Sequence, residues 1–473
     1  MPWLLIVDNV DSTADATSPE EFIPESSTGF VIFTTRNHSV RTLGNFGPRF
    51  FEFKGLDEDE STELFLASAG QNAPFVPSLL QSAKDICKAL GYLPLALVQA
   101  GRAILGGLCT AQTCLSFLEH SLLSVQSTMK ETKERRPRRH SSASNEAAFS
   151  TYEMILPILS DDAIELLKLF SFMHRQRLDF TLLVQAILNP RLEKASSQQA
   201  SHASTSRQTW RQRGRDLVVL VHGFFASFGE FQVMPKIFQQ MQWWDQGRIE
   251  LRLRKALAEL RSFALVDVIE VDDKHTSSMH PLIHWWVRAR MTLPERSIWY
   301  QAACNTLANA ILLPPMGDGE EHAQLLKRML PHVEDVRNQE VQIQQKLEAN
   351  RFERRKLWPV LGKSLRRADL RQFAKFSLVY RESAQWLPVQ ELMSTVDTSL
   401  ARGLGLDHFM AIKARLLLSE AYWWLDEEET TFQLQQELLN VCMARRGKQD
   451  VETLNVMDKL GMTLWSQGRL REA

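Results

Sequence analysis

Carboxylates placed directly after an apolar run are the first residues of this chain that could do chemistry. Trp3 to Val7 are all apolar, and Asp8 follows at once, with Asp11 three residues later. A short unbroken apolar run is typical of a strand buried on both faces of a parallel sheet. Open α/β sheets bind their ligands at the carboxyl ends of the strands, which is where Asp8 would lie. The pattern therefore predicts an Mg²⁺ ligand beside a nucleotide.

A second apolar run ends in polar residues that would reach the same edge of the sheet. The run Phe30 to Phe33 follows a glycine and ends in a Thr-Thr dipeptide and Arg36. Either run alone would more often be an ordinary core strand. Two of them about 25 residues apart, each ending in charged residues, favour a shared ligand site.

Further strands and helices within the first hundred residues must position these side chains. The sequence predicts a third strand, Phe50 to Phe53, and helices over Ser61 to Ser68 and Ser78 to Leu90. Gly91 is a suitable C-cap for the second of these helices. Pro94 is expected in the first turn of the next helix, where its missing N–H would be unpaired in any case.

Four motifs carry a family resemblance, and they occur in the order WLLIVDNVD, FVIFTTRN, FEFKGLDEDESTELF and LGYLPLAL. They resemble the motifs of NB-ARC domains, which are nucleotide switches of the signal-transducing (STAND) P-loop ATPases, a group that includes NOD-like immune receptors. The resemblance implies ADP or ATP with Mg²⁺ as cofactors. It also implies that Asp8 binds the Mg²⁺, that Arg36 lies near the γ-phosphate and that Pro94 contacts the adenine.

Two features depart from the NB-ARC pattern. Asn9 follows Asp8 where many relatives have a second acid, and an amide cannot act as a general base. The phosphate-binding loop GxxxxGK[ST] is absent from the sequence, so its lysine and N–H groups would lie upstream of Met1. Two explanations stay open, a truncated gene product and a degenerate domain. We therefore assign no catalytic residue and expect no catalytic activity from the chain as given.

A basic, serine-rich segment, Met129 to Asn145, separates the first part of the chain from the next. It is most simply a solvated linker, with a phosphorylation site at Ser141 or Ser142, or a nuclear address, as alternatives. Beyond it, the alternation from Ala264 to Val271 predicts one strand of a β-wing. A winged-helix domain follows the linker in NB-ARC proteins.

His280 stands in a Met-His-Pro sequence directly before an apolar helix. A lone histidine in that place is usually a packed or capping residue. In NB-ARC proteins a similar motif ends the winged-helix domain, and the resemblance implies that His280 contacts the β-phosphate of bound ADP. The basic helix Ile249 to Phe263 also suggests DNA binding, but in the family the wing is a packing module. We therefore expect no nucleic-acid partner.

An inserted segment, residues 191–230, interrupts the winged-helix region. Leu192 to Arg215 is rich in Ser, Gln and Arg and is expected to be disordered. The stretch Leu217 to Phe225 looks like the strand and His-Gly turn of an α/β-hydrolase. The GxSxG nucleophile motif of that fold does not follow, so we reject a hydrolase.

Residues 294–473 have a helical pattern with an internal repeat. Leu418 and Tyr422 lie 42 residues before Leu460 and Leu464, and a weaker copy places Phe376 another 42 residues earlier. The final stretch resembles a tetratricopeptide repeat of the long-period kind found in kinesin light chains. That resemblance implies an α-solenoid that binds a protein partner, and the chain ends within a repeat.

Composition bounds the remaining classes of function. The 473 residues carry a net charge of −1, so no overall field favours nucleic acid or a membrane surface. The five cysteines are an odd number without metal-like spacing, which is typical of reduced thiols inside cells. No run of 18 apolar residues occurs, so we expect a cytoplasmic protein without a membrane partner.

These patterns together predict a mixed, mainly α fold of four parts. Residues 1–95 would be the C-terminal part of an NB-ARC domain with a partial P-loop sheet, and residues 96–145 a helical subdomain with the basic linker. Residues 146–293 would form the winged-helix domain, and residues 294–473 a truncated α-solenoid. The leading function is a signalling switch or scaffold of the STAND type, and the alternative is a nucleotide-independent repeat protein that binds a partner. Whether the chain forms a homo-oligomer stays open.

Overall fold

A computed structural model describes residues 3–7, 28–34, 56–118, 120, 143–203, 234–239, 246–271, 274–313, 319–349 and 367–469. The chain divides into two compact units, residues 1–57 and 58–473. Helices dominate the described residues, as the sequence predicts. None of the helices in this part of the chain is long and apolar enough to cross a membrane.

The first unit contains two parallel strands, β1 (Trp3–Val7) and β2 (Gly29–Phe33). They are in register, with Trp3 opposite Gly29 and Val7 opposite Phe33, so the predicted parallel pairing is confirmed. The ring of Trp3 lies over Gly29, where an added Cβ would come within 2.0 Å of it. The third predicted strand, Phe50 to Phe53, lies outside the described residues.

The prediction that β1 is buried on both faces is wrong. Leu4 is 56% exposed and Ile6 is 60% exposed, while Trp3, Leu5 and Val7 are half-buried. Successive side chains of a strand point to opposite faces of its sheet. One face of this two-stranded pair is therefore partly covered and the other is open to solvent.

The second unit begins with three packed helices, α1 (Glu58–Ser68), α2 (Pro77–Ala89) and α3 (Pro94–Leu105). Helix α1 contacts both of the others. Gly101 allows the close approach of α3 to α1, because an added Cβ would lie 2.6 Å from the Cβ of Ser68. Gly91 ends α2 with a φ of 62°, as expected for a C-cap glycine.

The middle of the chain packs helices around a small antiparallel sheet, in which β5 (Lys274–Ser278) lies between β3 (Leu178–Asp179) and β4 (Asp267–Val271). Strand β4 starts at Asp267 and not at the predicted Ala264, because Ala264 has a φ of 51° and belongs to the turn that ends a helix. The predicted wing strand is otherwise present and pairs with β5, with Asp267 opposite Ser278. The elements in order are α4 (Ala143–Ile155), α5 (Asp161–Phe170), β3 (Leu178–Asp179), α6 (Phe180–Ala203), α7 (Lys236–Gln239), α8 (Gln246–Ser262), β4 (Asp267–Val271), β5 (Lys274–Ser278), α9 (Pro281–Arg290), α10 (Leu293–Ala310) and α11 (Glu320–Ala349).

Two predictions about this part need correction. Helix α6 continues to Ala203, so the first residues of the stretch Leu192 to Arg215 are helical and not disordered. The stretch is rich in residues that a helix tolerates well, and Glu193 is fixed by tertiary ion pairs. The sequence also predicts separate helices over Leu325 to Val336 and from Asn338 through Phe352, but α11 is one unbroken helix that includes Pro331. The hydrolase-like stretch lies outside the described residues.

Residues 367–469 form five helices, each packed on the next along the chain. The first, third and fifth have 16 residues each, and both their first and their last residues are evenly spaced along the chain. Their spacing is the repeat period that the sequence predicts, so this period is present in the structure. The helices are α12 (Arg367–Glu382), α13 (Trp386–Leu404), α14 (Phe409–Trp424), α15 (Glu428–Arg445) and α16 (Val451–Ser466).

The turns between these helices repeat as accurately as the helices do. Ala384, Asp426 and Gly468 occupy the same turn in successive copies, with φ values of 55°, 65° and 73°. The alternate turns contain Gly405 and Gly447, with φ values of 87° and 92°. Left-handed backbone is costly for most residues, so its recurrence at equivalent positions shows that each copy uses the same chain reversal.

The interior between the last helices is mostly apolar but contains the charged side chain of Arg415. Ile412, Leu438, Cys442 and Val456 form a fully buried cluster. Beside them, the buried guanidinium of Arg415 donates to the carboxylate of Asp397 on α13, over 2.9 Å and 3.2 Å. Its third nitrogen donates to Glu437 on α15, so that one side chain connects three helices.

Candidate functional site

Two of the four predicted ligand residues, Asp8 and Arg36, lie outside the described residues. The strands that precede them are described and end side by side, with Val7 opposite Phe33. The backbone N–H of Thr34 donates to the carbonyl of Val7 over 3.0 Å, which extends the pairing by one residue. The assignment of Asp8 to Mg²⁺ and of Arg36 to the γ-phosphate therefore stays a prediction.

Pro94 occupies the first turn of α3, as the sequence predicts. The chain reaches it through Gly91 and Tyr92, both with left-handed φ values, and through the extended residue Leu93. Leu93 offers no side-chain cap to the helix. Pro94 has no N–H of its own, and the N–H of Leu97 donates to the carbonyl of Leu93 over 3.0 Å.

Two side chains of α3 form hydrogen bonds with the segment that precedes β4. Gln99 is fully buried, accepts from the hydroxyl of Thr151 over 3.0 Å and donates to the carbonyl of Ala264 over 3.3 Å. Arg102 donates to the carbonyl of Arg261 over 2.5 Å. The helix that begins at Pro94 is thus fixed to the end of α8, which immediately precedes β4.

His280 caps the N-terminus of α9. Its Nδ1 atom accepts a hydrogen bond of 3.2 Å from the backbone N–H of Leu282. Although the residue keeps an exposed side, the loss of water around its ring lowers the pKa of His280. Asp267 raises this pKa and Arg175 lowers it, each by its charge. Since Nδ1 accepts, the neutral ring carries its proton on Nε2, which could donate to an anion.

His284 lies one turn further along α9 and has a structural role. Its Nε2 atom donates to the carbonyl of Met173 over 2.8 Å, and Arg288 lies 3.1 Å from its Nδ1 atom. Burial, reinforced by the charge of Arg288, lowers the pKa of His284 to about 3. The residue is therefore neutral at pH 7 and holds α9 against the segment that follows α5.

A second polar cluster joins the middle of the chain to the helical repeats. Glu193 of α6 pairs with Arg371 of α12 and, over 2.7 Å, with Lys375 of the same helix. Lys375 is fully buried and also donates to the carbonyl of Ile311 over 2.6 Å. Burial lowers the pKa of Lys375 to about 8, although Glu193 opposes this. Sequence spacing carries no signal for such a cluster, because Glu193 lies 178 residues from Arg371 and Ile311 lies 64 residues from Lys375.

The two described ligand candidates, Pro94 and His280, both lie at the N-terminus of a helix. Pro94 begins a helix without a side-chain cap, and the neutral ring of His280 has a proton on Nε2. Where the structure describes side chains, no group of three or more His, Cys, Asp or Glu residues comes together as a metal site. Asp8 and Arg36, which the resemblance assigns to Mg²⁺ and to the γ-phosphate, lie outside these segments.

Comparison with known proteins gives one partial relative. Over 138 residues the chain is 30% identical to a nucleotide-binding leucine-rich repeat (NLR)-like protein of Hyaloscypha variabilis. The chain resembles an NLR-like protein over part of its length. The match covers 26% of this chain and 14% of the relative, so the chain spans a small share of that protein. No family model matches the sequence.

The name of that relative does not describe the repeats of this chain. A leucine-rich repeat contributes a strand in each copy. Residues 367–469 contain five helices and no strand. The match therefore supports an NLR-type signalling family, while the repeats here are helical.

Proposed function

We propose that the chain is part of an NB-ARC-type signalling switch or scaffold whose helical repeats bind a protein partner. The observation that carries the proposal is the stack of helices α12 to α16, whose helix ends and turn conformations recur from one copy to the next. Such a regular stack fits a tetratricopeptide-like solenoid, an architecture that presents an extended surface to a partner. The partial match to an NLR-like protein supports the signalling class.

An exposed aromatic edge supports partner binding by the repeats. Trp386 at the start of α13 stacks on Trp424 at the end of α14, with ring centroids 5.4 Å apart and planes 9° apart. Trp423 meets Trp424 edge-on at 4.9 Å. Trp424 is 55% exposed, although tryptophan side chains are usually buried in a monomer. Tryptophan is also among the residues that contribute most to protein–protein binding.

The charges beside this edge indicate the chemistry of the partner. Four consecutive acids, Asp426 to Glu429, span the turn after Trp424 and the start of α15, and three of them are exposed. Lysine and arginine side chains can stack on tryptophan rings and pair with carboxylates at the same time. We therefore propose that the partner presents a segment that combines basic and apolar residues.

Selection of displayed random peptides on the full chain tests this surface. We expect the selected peptides to combine Lys or Arg with Leu, Phe or Trp, and Trp424→Ser to weaken their binding about tenfold or more. Trp465→Ser is the matched control, because Trp465 is 70% exposed but has no acidic turn beside it. Selection of acidic peptides, or equal loss of binding in both variants, would contradict the proposal.

Nucleotide dependence is the finer part of the proposal and has its own test. Calorimetry with ADP should show binding to the full chain, and His280→Ala should remove it. His408→Ala is the matched control, because His408 also caps a helix N-terminus, that of α14, through its Nδ1 atom. A chain that binds no ADP at about millimolar nucleotide would leave only the alternative, a nucleotide-independent interaction protein. Asn9 and the absence of GxxxxGK[ST] from the sequence favour that alternative.

A further inference from the structure

A cavity lies where α1 and the first turns of α2 meet the turn that follows α3. It has a volume of about 570 Å³, and residues of all three helices, residues 107–113 and Phe117 line it. Pockets that bind small molecules usually measure about 300–1,000 Å³. Because protein interiors are close-packed and leave few voids larger than a water molecule, a cavity of this size is a candidate binding site.

The buried side of the cavity wall is apolar. Phe65 and Leu66 of α1 are fully buried. Half-buried aliphatic side chains complete this side of the wall, and they are Leu79, Ile104 and Leu108. An apolar ligand that leaves water for this surface gains free energy through the hydrophobic effect.

The exposed side of the wall is polar but uncharged. Gln71, Gln112 and Thr113 line the cavity and are exposed. The Nε2 atom of Gln71 donates to the carbonyl of Ala69 over 3.4 Å, and an amide has a second N–H and a carbonyl oxygen for another partner. None of the described residues in the wall is Asp, Glu, Lys, Arg or His. A charged ligand would therefore lose water without meeting an opposite charge, whereas a neutral ligand would not.

Hydrogen bonds hold the turn that forms one side of the cavity. The carbonyl of Thr110 accepts from the N–H of Thr113 over 3.1 Å and from the N–H of Cys114 over 2.9 Å. The hydroxyls of Thr110 and Thr113 lie 3.1 Å apart, and the N–H of Leu108 donates to the carbonyl of Ala103 over 3.0 Å. A ligand would thus meet a wall that is already ordered, which lowers the entropy lost on binding.

We propose that this cavity binds a small uncharged molecule with an aromatic body and a hydroxyl, carbonyl or amide group at one end. The rings of Phe65 and Phe117 line the cavity and favour an aromatic body, because aromatic rings pack well on one another. The polar end would face the amides of Gln71 and Gln112. Such a ligand would connect α1 and α2 with the turn after α3.

The cavity is separate from the surfaces of the proposed function. Its wall includes neither Pro94 nor His280, and the helical repeats do not contribute to it. Loss of nucleotide binding or of peptide binding would therefore leave this inference standing, and its failure would leave the proposed function standing.

Fluorescence titration of the full chain with N-phenyl-1-naphthylamine, an uncharged aromatic probe, tests the class of ligand. We expect saturable binding of this probe. As competitors, 1-naphthol and 1-naphthalenesulfonate share one ring system and differ in charge at neutral pH. The naphthol should displace the probe at a concentration at least tenfold lower than the sulfonate. Equal displacement by both compounds, or no saturable binding of the probe, would overturn the proposal.

Two neighbouring leucines near the N-terminus of α2 provide a matched pair of variants. Leu79 lines the cavity, whereas Leu80 is 36% exposed and does not line it. Both positions tolerate an acid, since negative charge near a helix N-terminus is favourable. Leu79→Glu should weaken binding of the probe at least tenfold, because it places a charge in the wall, and Leu80→Glu should bind like wild type. Equal affinity in the two variants would show that the probe binds elsewhere and would refute the site.

Hydrogen exchange on the wild-type chain locates the probe without any variant. Saturation with N-phenyl-1-naphthylamine should slow amide exchange in residues 65–79 and 104–117 at least twofold, while exchange in the helical repeats should stay unchanged. Slower exchange confined to other segments, or no change in these two, would overturn the proposal even if the variants do not fold.

Discussion

At the scale of single residues, two buried and neutral histidines, His284 and His332, make hydrogen bonds between distant parts of the chain. His332 of α11 is 1% exposed, and its Nε2 atom lies 3.1 Å from the carbonyl of Arg177. Burial lowers the pKa of His332 to about 4, and that of His284 to about 3. Both rings pack the segment that follows α5, so their charge state decides whether this segment stays in place.

The depressed pKa values predict acid sensitivity of the fold. Between pH 6.5 and about pH 4 the unfolded chain binds protons at these histidines that the folded chain excludes. The contribution of these two histidines to the free energy of unfolding is therefore complete above pH 6.5. As the pH falls, this free energy decreases by up to about 1.4 kcal/mol per pH unit for each histidine. Urea unfolding from pH 7 to pH 5 measures this loss.

A variant separates these histidines from the carboxylates that also titrate in acid. His284→Gln keeps a donor for Met173 but cannot be protonated, so it should be less stable than wild type at pH 7 and lose less stability by pH 5. The corresponding change at the half-buried capping residue, His408→Gln, should follow the wild-type pH dependence. A constant difference between His284→Gln and wild type across this range would show that His284 does not contribute.

At the scale of elements, the helical repeats depend on backbone conformations that only certain residues adopt easily. Gly447 has a φ of 92° and its missing Cβ would meet no atom within 4 Å. Any loss of stability on substitution of Gly447 would therefore come from backbone strain alone and not from crowding. Gly403 in α13 has equally open surroundings but lies in a helix.

Alanine at these two glycines should have opposite effects. Gly447→Ala should lower the free energy of unfolding by about 1–2 kcal/mol, since left-handed backbone is unfavourable for a residue with a Cβ. Gly403→Ala should raise it by up to about 1 kcal/mol, because alanine loses less entropy in a helix. Denaturant unfolding of both variants measures the difference, and equal effects would show that the turn is not strained.

At the scale of the whole second unit, buried charge joins the repeats to the preceding domain. Lys375 is completely buried and its positive charge is matched by Glu193. Removing one member of a buried pair leaves an uncompensated charge, while replacing both can be nearly neutral. The junction therefore connects the helix that leads into the predicted insertion with the first helix of the repeats.

Breaking this pair should loosen the junction and not the individual helices. Glu193→Leu should cost about 3–5 kcal/mol, and the double change Glu193→Leu with Lys375→Met should recover much of that loss. Amide hydrogen exchange should be faster along α6 and α12 in the single variant than in wild type. In the double variant the exchange rate should return towards the wild-type value. Equal losses in both variants would mean that packing, and not charge, holds the junction.

The sequence by itself determined the features that depend on near neighbours. The pairing of two apolar runs as parallel strands, the β-hairpin after Ala264 and the period of the helical repeats all follow from local patterns of apolar and turn residues. The helix start at Pro94 and the capping alternative for His280 were also predictable, because caps involve residues two to four positions apart.

Only the tertiary structure decided the features that depend on distant parts of the chain. Glu193 meets Arg371 across 178 residues, and Gln99 meets Ala264 across 165, distances at which no spacing rule applies. The exposed face of β1 likewise depends on what lies against the strand, which its own apolar sequence does not specify. Local periodicity encodes elements, while burial and ion pairing arise only where elements meet.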